Sequence, residues 1–290
     1  MQITDTDDPI DIRYDNVFKA VFTKNTPASK GALSKLISAL IKREITITAI
    51  TANEPASEDV RNRQIRFDIN CKAKNGELIN VEMSLDPNPF EPVRLEYYVG
   101  KLFSGQDIKG IKKTYNDLKQ TYQITILAQK SFFNDKALIH SFEYYDPEHK
   151  ISLNGRSRII TMELSKMYTL ENKPTKELSS AENWATFFQY LTDKAKRARI
   201  NEIIKREEGI AMASKVLMTI SRDEAERARL MSELKYQLDT QSKINHARQE
   251  GKKEGKKEGI KTGIKTGEKK IIDLLKSGKT PEEIIKDFEN

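Results

Sequence analysis

Two carboxylates, Asp68 and Glu82, lie in residues 65–85 (IRFDINCKAKNGELINVEMSL), where apolar and polar residues alternate on both sides of an Asn-Gly pair. This pattern predicts two antiparallel strands joined by a tight turn. A three-residue loop with Gly76 in the left-handed conformation places Asp68 directly opposite Glu82. A two-residue Asn-Gly turn would instead place the two acids on opposite faces of the hairpin.

Opposed carboxylates repel each other, so the hairpin is expected to bind a cation. Side chains directly opposite in a strand pair are roughly 5 Å apart, where like charges destabilise the pairing. Mg²⁺ takes oxygen ligands and is commonly held by one or two carboxylates, which leaves other positions for water and phosphate. The alternative is an ordinary hairpin with an exposed polar face, on which Arg66 and Lys72 neutralise the acids.

The three-residue loop also sorts the hairpin into two faces, because successive side chains of a strand point to opposite sides. The apolar face would carry Ile65, Phe67, Ile69, Cys71, Ile79, Val81, Met83 and Leu85. The polar face would carry Arg66, Asp68, Asn70, Lys72, Asn80, Glu82 and Ser84. We therefore expect both acids on the polar face.

The elements that must position this hairpin follow from hydrophobic spacing and turn residues. The predicted elements are helices over residues 14–24, 29–44 and 91–105, strands over 44–50 and 122–129, and a further hairpin over 151–164 that turns on Asn154 and Gly155. The order α, α, β, β, β, α, β predicts an α/β core. Residues 181–247 are helical in pattern, and the last stretch predicts two short helices broken at Gly278.

Four segments are expected along the 290 residues. They are an α/β core over 1–165, a helical region over 166–247, a basic segment with glycine at every fourth position over 248–270, and a short helical hairpin over 271–290. Residues 243–270 contain ten Lys or Arg and four Glu, so they carry most of the formal net charge of +7. The glycine spacing fits a disordered basic arm or a helix whose bare stripe admits a second helix.

The composition suggests both a partner and a compartment. A basic arm on a nearly neutral body suits a polyanion such as nucleic acid, although a solvated charged face would have the same composition. With one cysteine, Cys71, no signal segment and no apolar stretch of spanning length, we expect a cytoplasmic protein without disulfides or membrane spans. Three scattered histidines argue against a zinc site or a catalytic triad.

The hairpin and its flanking sequences resemble a known family. The pattern Asp68…Glu82-x-Ser84 is preceded by YDNVFKAVF (14–22) and followed by VRLEYYVGKLFSGQDIKGIKKTYNDL (93–118). This combination resembles the recombination-promoting nuclease and transposase family of the PD-(D/E)xK nuclease superfamily. The resemblance covers most of the first 165 residues and returns in the glycine repeat. It implies a restriction-endonuclease-like α/β core, with a mixed central sheet flanked by helices and a helical C-terminal extension.

The resemblance also implies a site and its cofactor. Asp68 and Glu82 match the metal-binding carboxylates of the family, and Asp15 matches the acidic residue of the first helix. The implied cofactor is Mg²⁺ or Mn²⁺, and the implied substrate is DNA.

Ser84 departs from the family pattern. The superfamily usually has Lys two positions after the Glu, and this family often has Gln. A serine hydroxyl is shorter and uncharged, so it cannot stabilise charge developing on a phosphate as an ammonium group does. Arg66, opposite Ser84 in the proposed register, and Lys101, on the next helix, are the candidates to replace it. For both, a salt bridge to Asp68 or Glu82 is the alternative role.

Three functions remain open at this point. The leading hypothesis is a Mg²⁺-dependent DNA endonuclease of a transposase-like, recombination-promoting family, impaired by Ser84. The main rival is a catalytically inactive relative that binds DNA or forms a homo-oligomer through the glycine-repeat helix. A third interpretation makes the helical region and tail a scaffold for another protein.

Overall fold

The predicted hairpin forms in the computed structural model of the chain, which describes residues 2–50, 68–87, 89–108, 113–281 and 283–285. Strand β2 (Ile69–Ala73) pairs antiparallel with β3 (Leu78–Ser84), with Ile69 opposite Val81. Gly76 has a φ of 90°, in the left-handed region. The three-residue loop and its register are therefore confirmed.

The other elements follow the predicted order closely. The helices are α1 (Asp15–Thr23), α2 (Pro27–Ile41), α3 (Glu91–Ser104), α4 (Ser180–Tyr190), α5 (Arg197–Arg206), α6 (Glu208–Arg222) and α7 (Glu224–Lys276). The remaining strands are β1 (Ile47–Ile50), β4 (Thr121–Leu127), β5 (Ile139–Phe142), β6 (Tyr145–Asp146), β7 (Ile151–Ser152) and β8 (Ser157–Glu163). Residues 51–67, which include Arg66 and the predicted polar loop, lie outside the described residues.

The main sheet is mixed. Within the described residues it has six strands in the order β1-β2-β3-β4-β8-β5, and β3, β4 and β8 are parallel to one another. Parallel neighbours need a crossover connection, and α3 lies in the one between β3 and β4. Strand β4 is buried along its whole length, as its central place requires. A mixed sheet flanked by helices confirms the expected α/β core.

The hairpin predicted over residues 151–164 is wrong. Strand β7 pairs with β6 in a separate two-stranded sheet, whereas β8 joins the main sheet between β4 and β5. Asn154 does adopt the turn conformation, with a φ of 52°. A turn residue fixes only the local direction of the chain. The buried side chains of Ile160 and Met162 decide the partner of β8, because they complete the core beside β4.

One hydrophobic cluster joins the sheet to the helices around it. Phe18 and Phe22 of α1 have ring centroids 4.8 Å apart, and Phe22 lies 6.0 Å from Trp184 of α4. The predicted apolar face of the hairpin belongs to the same cluster, and its buried members are Ile69, Cys71, Ile79, Val81 and Met83. The polar face of the hairpin is thereby turned toward α3.

The C-terminal unit, Ser232–Asn290, consists mainly of α7. The five glycines of the repeat lie within this helix, and a Cβ added at any of them would meet no atom within 4 Å. The repeat is therefore helical in this structure, with a bare stripe. The helix ends before Gly278, whose φ of 90° matches the predicted break. Thr280 and Glu283 then cap the following helical turn.

Candidate active site

The two hairpin carboxylates face each other beside the sheet. Asp68 comes directly before β2, and the pairing of Ile69 with Val81 places Asp68 opposite Glu82. The backbone N–H of Met83 donates a 3.3 Å hydrogen bond to Asp68 Oδ2, which orients this carboxylate. Glu82 is only 2% exposed. The polar face of the hairpin is therefore largely enclosed at this point.

Helix α1 brings a third carboxylate to the same place. Asp15 is the first residue of α1, which packs against β2 and β3. Burial raises the pKa of Asp68 well above its usual range, and the negative charges of Asp15 and Glu82 raise it further. The Lys19 ammonium lies within 3.1 Å of both Asp15 and Asp68, and Asp68 lies opposite Glu82. The structure thus brings together Asp15, Asp68 and Glu82.

Burial makes the ionised form of Glu82 costly, and Arg94 offsets part of that cost. Burial raises the pKa of Glu82 to about 7, against the opposing effect of Arg94 and of a hydrogen bond from Asn80. The charges of Glu91 and Asp15 add to the effect of burial. A buried carboxylate whose pKa is raised in this way gains from a nearby positive charge, and such groups are common at functional sites.

Lys19 lies between the carboxylates of Asp15 and Asp68. Lys19 Nζ is 2.9 Å from Asp15 Oδ2 and 3.1 Å from Asp68 Oδ1. Lys19 follows Asp15 by four residues on α1, and residues with this spacing are neighbours on a helix surface. Burial lowers the pKa of Lys19, but Asp68 and Asp15 outweigh it and the net pKa is raised. The ammonium therefore stays charged and bridges the two acids.

Glu82 is held by an amide network on one side and a guanidinium on the other. Asn80 Nδ2 donates to Glu82 Oε1 at 3.0 Å and to Gln123 Oε1 at 2.8 Å. Arg94 Nη2 of α3 lies 3.1 Å from Glu82 Oε2 and also pairs with Glu91. The Arg94 guanidinium stacks over the Tyr98 ring at 5.1 Å. These contacts fix the orientation of Glu82.

The donor set fits a divalent cation. Among the described residues, Asp15 Oδ1 is buried and has no hydrogen-bond partner, and Glu82 Oε2 has the Arg94 guanidinium at 3.1 Å as its neighbour. Carboxylate oxygens are ligands that Mg²⁺ prefers, and Mn²⁺ accepts the same donors. In the described part of the chain, no three acidic, His or Cys side chains converge tightly enough to enclose an ion. Binding would therefore require the Lys19 ammonium to leave its place between Asp15 and Asp68.

Ser84 stands where the family usually has a lysine, and Lys101 and Arg66 are the predicted replacements for that lysine. Ser84 is the half-buried last residue of β3 and lies next to Leu127 of β4. Lys101 Nζ lies 5.7 Å from the centroid of the Tyr97 ring, and Lys101 is seven residues, or roughly 10 Å, beyond Arg94 along α3. Arg66 lies outside the described residues. Arg94, rather than Lys101, is the α3 cation that contacts Glu82.

Sequence reasoning missed the two cations of this site. Lys19 carried a usable signal, because its spacing of four residues from Asp15 predicts a pair on one helix face. Arg94 carried none. Its contact with Glu82 depends on the way α3 crosses the sheet, which no local pattern specifies.

Comparison with known proteins identifies the family of this chain. The mixed sheet flanked by helices is consistent with the nuclease fold of that family. The chain belongs to the family described as PD-(D/E)XK nuclease family transposase, whose pattern it matches over residues 12–247. No curated protein and no solved structure gives a significant match. The predicted family and its restriction-endonuclease-like fold are therefore confirmed.

Membership in this family supports a nuclease-like function and a DNA substrate. Nucleases of this superfamily generally use divalent metals. Among the described residues, every helix is too short or too polar to cross a bilayer.

Proposed function

We propose that this chain is a Mg²⁺- or Mn²⁺-dependent DNA endonuclease that promotes recombination. Asp68 and Glu82 hold the metal, and Asp15 contributes a third carboxylate. The observation that carries the proposal is that Asp15 and Asp68 lie 2.9 and 3.1 Å from one ammonium, with Glu82 opposite Asp68. Burial and repulsion from Asp15 raise the pKa values of both Asp68 and Glu82. A divalent cation would remove that repulsion.

The protein groups around the acids support this assignment. The Asn80 amide orients Glu82, and the Met83 N–H orients Asp68, so two carboxylate oxygens are positioned before any metal arrives. A divalent cation bound there would activate water and stabilise charge on the phosphate. Arg94, held between Glu82 and Glu91, adds positive charge on the α3 side.

Ser84 lowers the rate of cleavage at this site. The position that usually carries a long cationic or amide donor here ends in a short neutral hydroxyl. Removing one donor that stabilises developing charge commonly costs about 10²- to 10³-fold in rate. We therefore expect slow cleavage by the native chain.

Plasmid cleavage by the purified full-length protein tests the function. The matched variant is Asp68→Asn, which keeps the size of the side chain and removes its charge. We expect nicking or linearisation with Mn²⁺ or Mg²⁺, none with chelator, and none by Asp68→Asn. Equal cleavage by the native protein and Asp68→Asn would indicate a contaminating nuclease and contradict the proposal.

A second candidate function is non-catalytic binding or self-assembly through α7. Its support is the bare glycine stripe of this helix together with the exposed apolar residues Ile260, Ile264 and Leu275. Five glycines cost on the order of 0.5 to 1 kcal/mol each relative to alanine, so an isolated helix would be marginal in water. A second copy of α7 could offset this cost by close backbone packing. The basic charge of residues 243–270 suits contact with DNA phosphates.

A further inference from the structure

Among the described residues, a cation of α1 contacts two of the proposed metal ligands, far in sequence from the position where the family usually places a lysine. Lys19 Nζ makes ion pairs of 2.9 and 3.1 Å with Asp15 and Asp68. Its side chain is 31% exposed, so Lys19 lies at the rim of the site. A DNA phosphate approaching the carboxylates would meet this group.

Two cations of α3, among the described residues, have other partners. Arg94 is fixed by Glu82, by Glu91 and by the Tyr98 ring. Lys101 contacts the Tyr97 ring further along α3. A lysine has a flexible four-carbon stem and a compact charge, so its ammonium can exchange one oxyanion for another.

The charges of the site favour release of the Lys19 ammonium when a divalent cation binds to the carboxylates. Among the described residues, the site brings together the carboxylates of Asp15, Asp68, Glu82 and Glu91 with the cations Lys19 and Arg94. With all of them ionised these groups have two more negative than positive charges, which one divalent cation neutralises. Once Asp15 and Asp68 ligate such a cation, the Lys19 ammonium loses these two partners and becomes available to a phosphate oxygen of the DNA.

We propose that Lys19 supplies part of the positive charge that position 84 lacks. In the metal-free protein it holds Asp15 and Asp68 together. In the complex with metal and DNA it contacts a non-bridging phosphate oxygen beside the scissile bond. This inference rests on the proposed endonuclease function, but its first test, on metal binding, does not require cleavage.

The test compares the full-length native protein with Lys19→Met, Lys19→Arg and Lys24→Met. Lys24 is the matched control, because it lies one residue beyond α1, is 38% exposed and pairs at 2.9 Å with Glu226, away from the acids. Mn²⁺ binding is measured by calorimetry without DNA. We expect Lys19→Met to bind Mn²⁺ roughly tenfold more tightly, because no ammonium competes for the carboxylates. Lys24→Met should bind it like the native protein.

The rate of DNA cleavage then shows whether Lys19 contacts the DNA phosphate or only pairs with Asp15 and Asp68. We expect Lys19→Met to cut about 100-fold more slowly. Lys19→Arg should retain part of the rate, and adding Ser84→Lys to Lys19→Met should restore it. Melting curves show whether Lys19→Met is as folded as Lys24→Met.

Unchanged Mn²⁺ affinity in Lys19→Met, or a native cleavage rate in that variant, would overturn the role of Lys19 and leave the endonuclease standing. The endonuclease itself fails if neither the native protein nor Ser84→Lys cuts DNA, while tighter Mn²⁺ binding by Lys19→Met would still support the exchange. A native protein that binds no divalent metal overturns both.

Discussion

Arg94 Nη2 lies 3.1 Å from Glu82 Oε2, so α3 places a guanidinium on a carboxylate that is 2% exposed. The same guanidinium pairs with Glu91, which is also buried. One cation therefore stabilises two buried acids, and the site depends on it even before a metal binds.

Replacing Arg94 by Met should destabilise the metal-free protein. Breaking a buried pair leaves an uncompensated charge, but Arg94 is one-third exposed, so we expect a loss of only ~1 to 3 kcal/mol in the free energy of unfolding. The double variant Arg94→Met with Glu82→Gln should recover much of this loss, because Gln needs no cation. Denaturant melts of the two single variants and the double variant measure the coupling. Additive losses would show that Arg94 does not act through Glu82.

The stability of the metal-free protein should fall as the pH rises toward neutrality. The pKa of Glu82 is about 7 in the folded chain, against an ordinary value of 4.5. Between these two values the folded state holds the extra proton, so the stabilising effect is complete below pH 4.5 and is lost as the pH rises through 7. Relative to Glu82→Gln, the loss should be on the order of 3 kcal/mol.

Melts of the native protein and Glu82→Gln across this pH range, with chelator present, measure the difference. Asp68, whose pKa is also raised, should steepen the native curve in the same direction. Adding Mn²⁺ at the upper end of the range should restore stability to the native protein and less so to Glu82→Gln. Parallel pH curves for the two proteins would exclude Glu82 as the titrating group.

Ser84→Lys should increase the rate of DNA cleavage over the native protein. The last residue of β3 lies two residues beyond Glu82 on the same face of the strand, so a longer donor there points toward the metal ligands. An ammonium group at this position should raise the rate by about 10- to 100-fold. Ser84→Gln should give a smaller gain, and Ser84→Met is the control for side-chain length without a donor. A gain with Met as large as that with Lys would show that the effect is not electrostatic.

The glycine stripe predicts self-association through α7. Residues four apart advance about 400° along a helix, so the stripe drifts by about 40° per repeat, in the sense of a right-handed crossing. Gly259→Leu should raise helix propensity yet abolish association, because its side chain blocks close approach. Lys257→Leu, on the opposite face, is the matched control.

Sedimentation equilibrium of these variants, the native chain and a chain truncated after Asn245 measures the association. If each of the four sediments with the mass of its own monomer over the micromolar range, assembly through the tail is eliminated.

The thiol of Cys71 should be inert in the folded protein. Burial raises its pKa to about 12, and Cys71 Sγ donates a 3.3 Å hydrogen bond to the Ile79 carbonyl inside the core. Labelling with a thiol reagent at mildly alkaline pH should therefore proceed only through unfolding, and its rate should rise with denaturant. Immediate labelling of the native protein would contradict the burial of β2.

Local signals in the chain specify the hairpin and leave two registers open for it. The Asn-Gly turn and the strict alternation act over a few residues, and Gly76 meets the conformational demand of the loop. The three-residue loop in the structure selects the register in which Asp68 lies opposite Glu82. The amphipathic spacing of α1 likewise predicts Asp15 near the start of a helix whose apolar face joins the core.

Long-range packing selects the groups that compensate the acids. The pairing of β8 with β4, the crossing of α3 over the sheet and the packing of α1 against β2 and β3 bring Arg94 to Glu82 and Lys19 to Asp68. These contacts join residues far apart in the chain. Their energy comes from burial and from charges that only the folded chain brings close together. These contacts therefore produce no periodic pattern in the sequence.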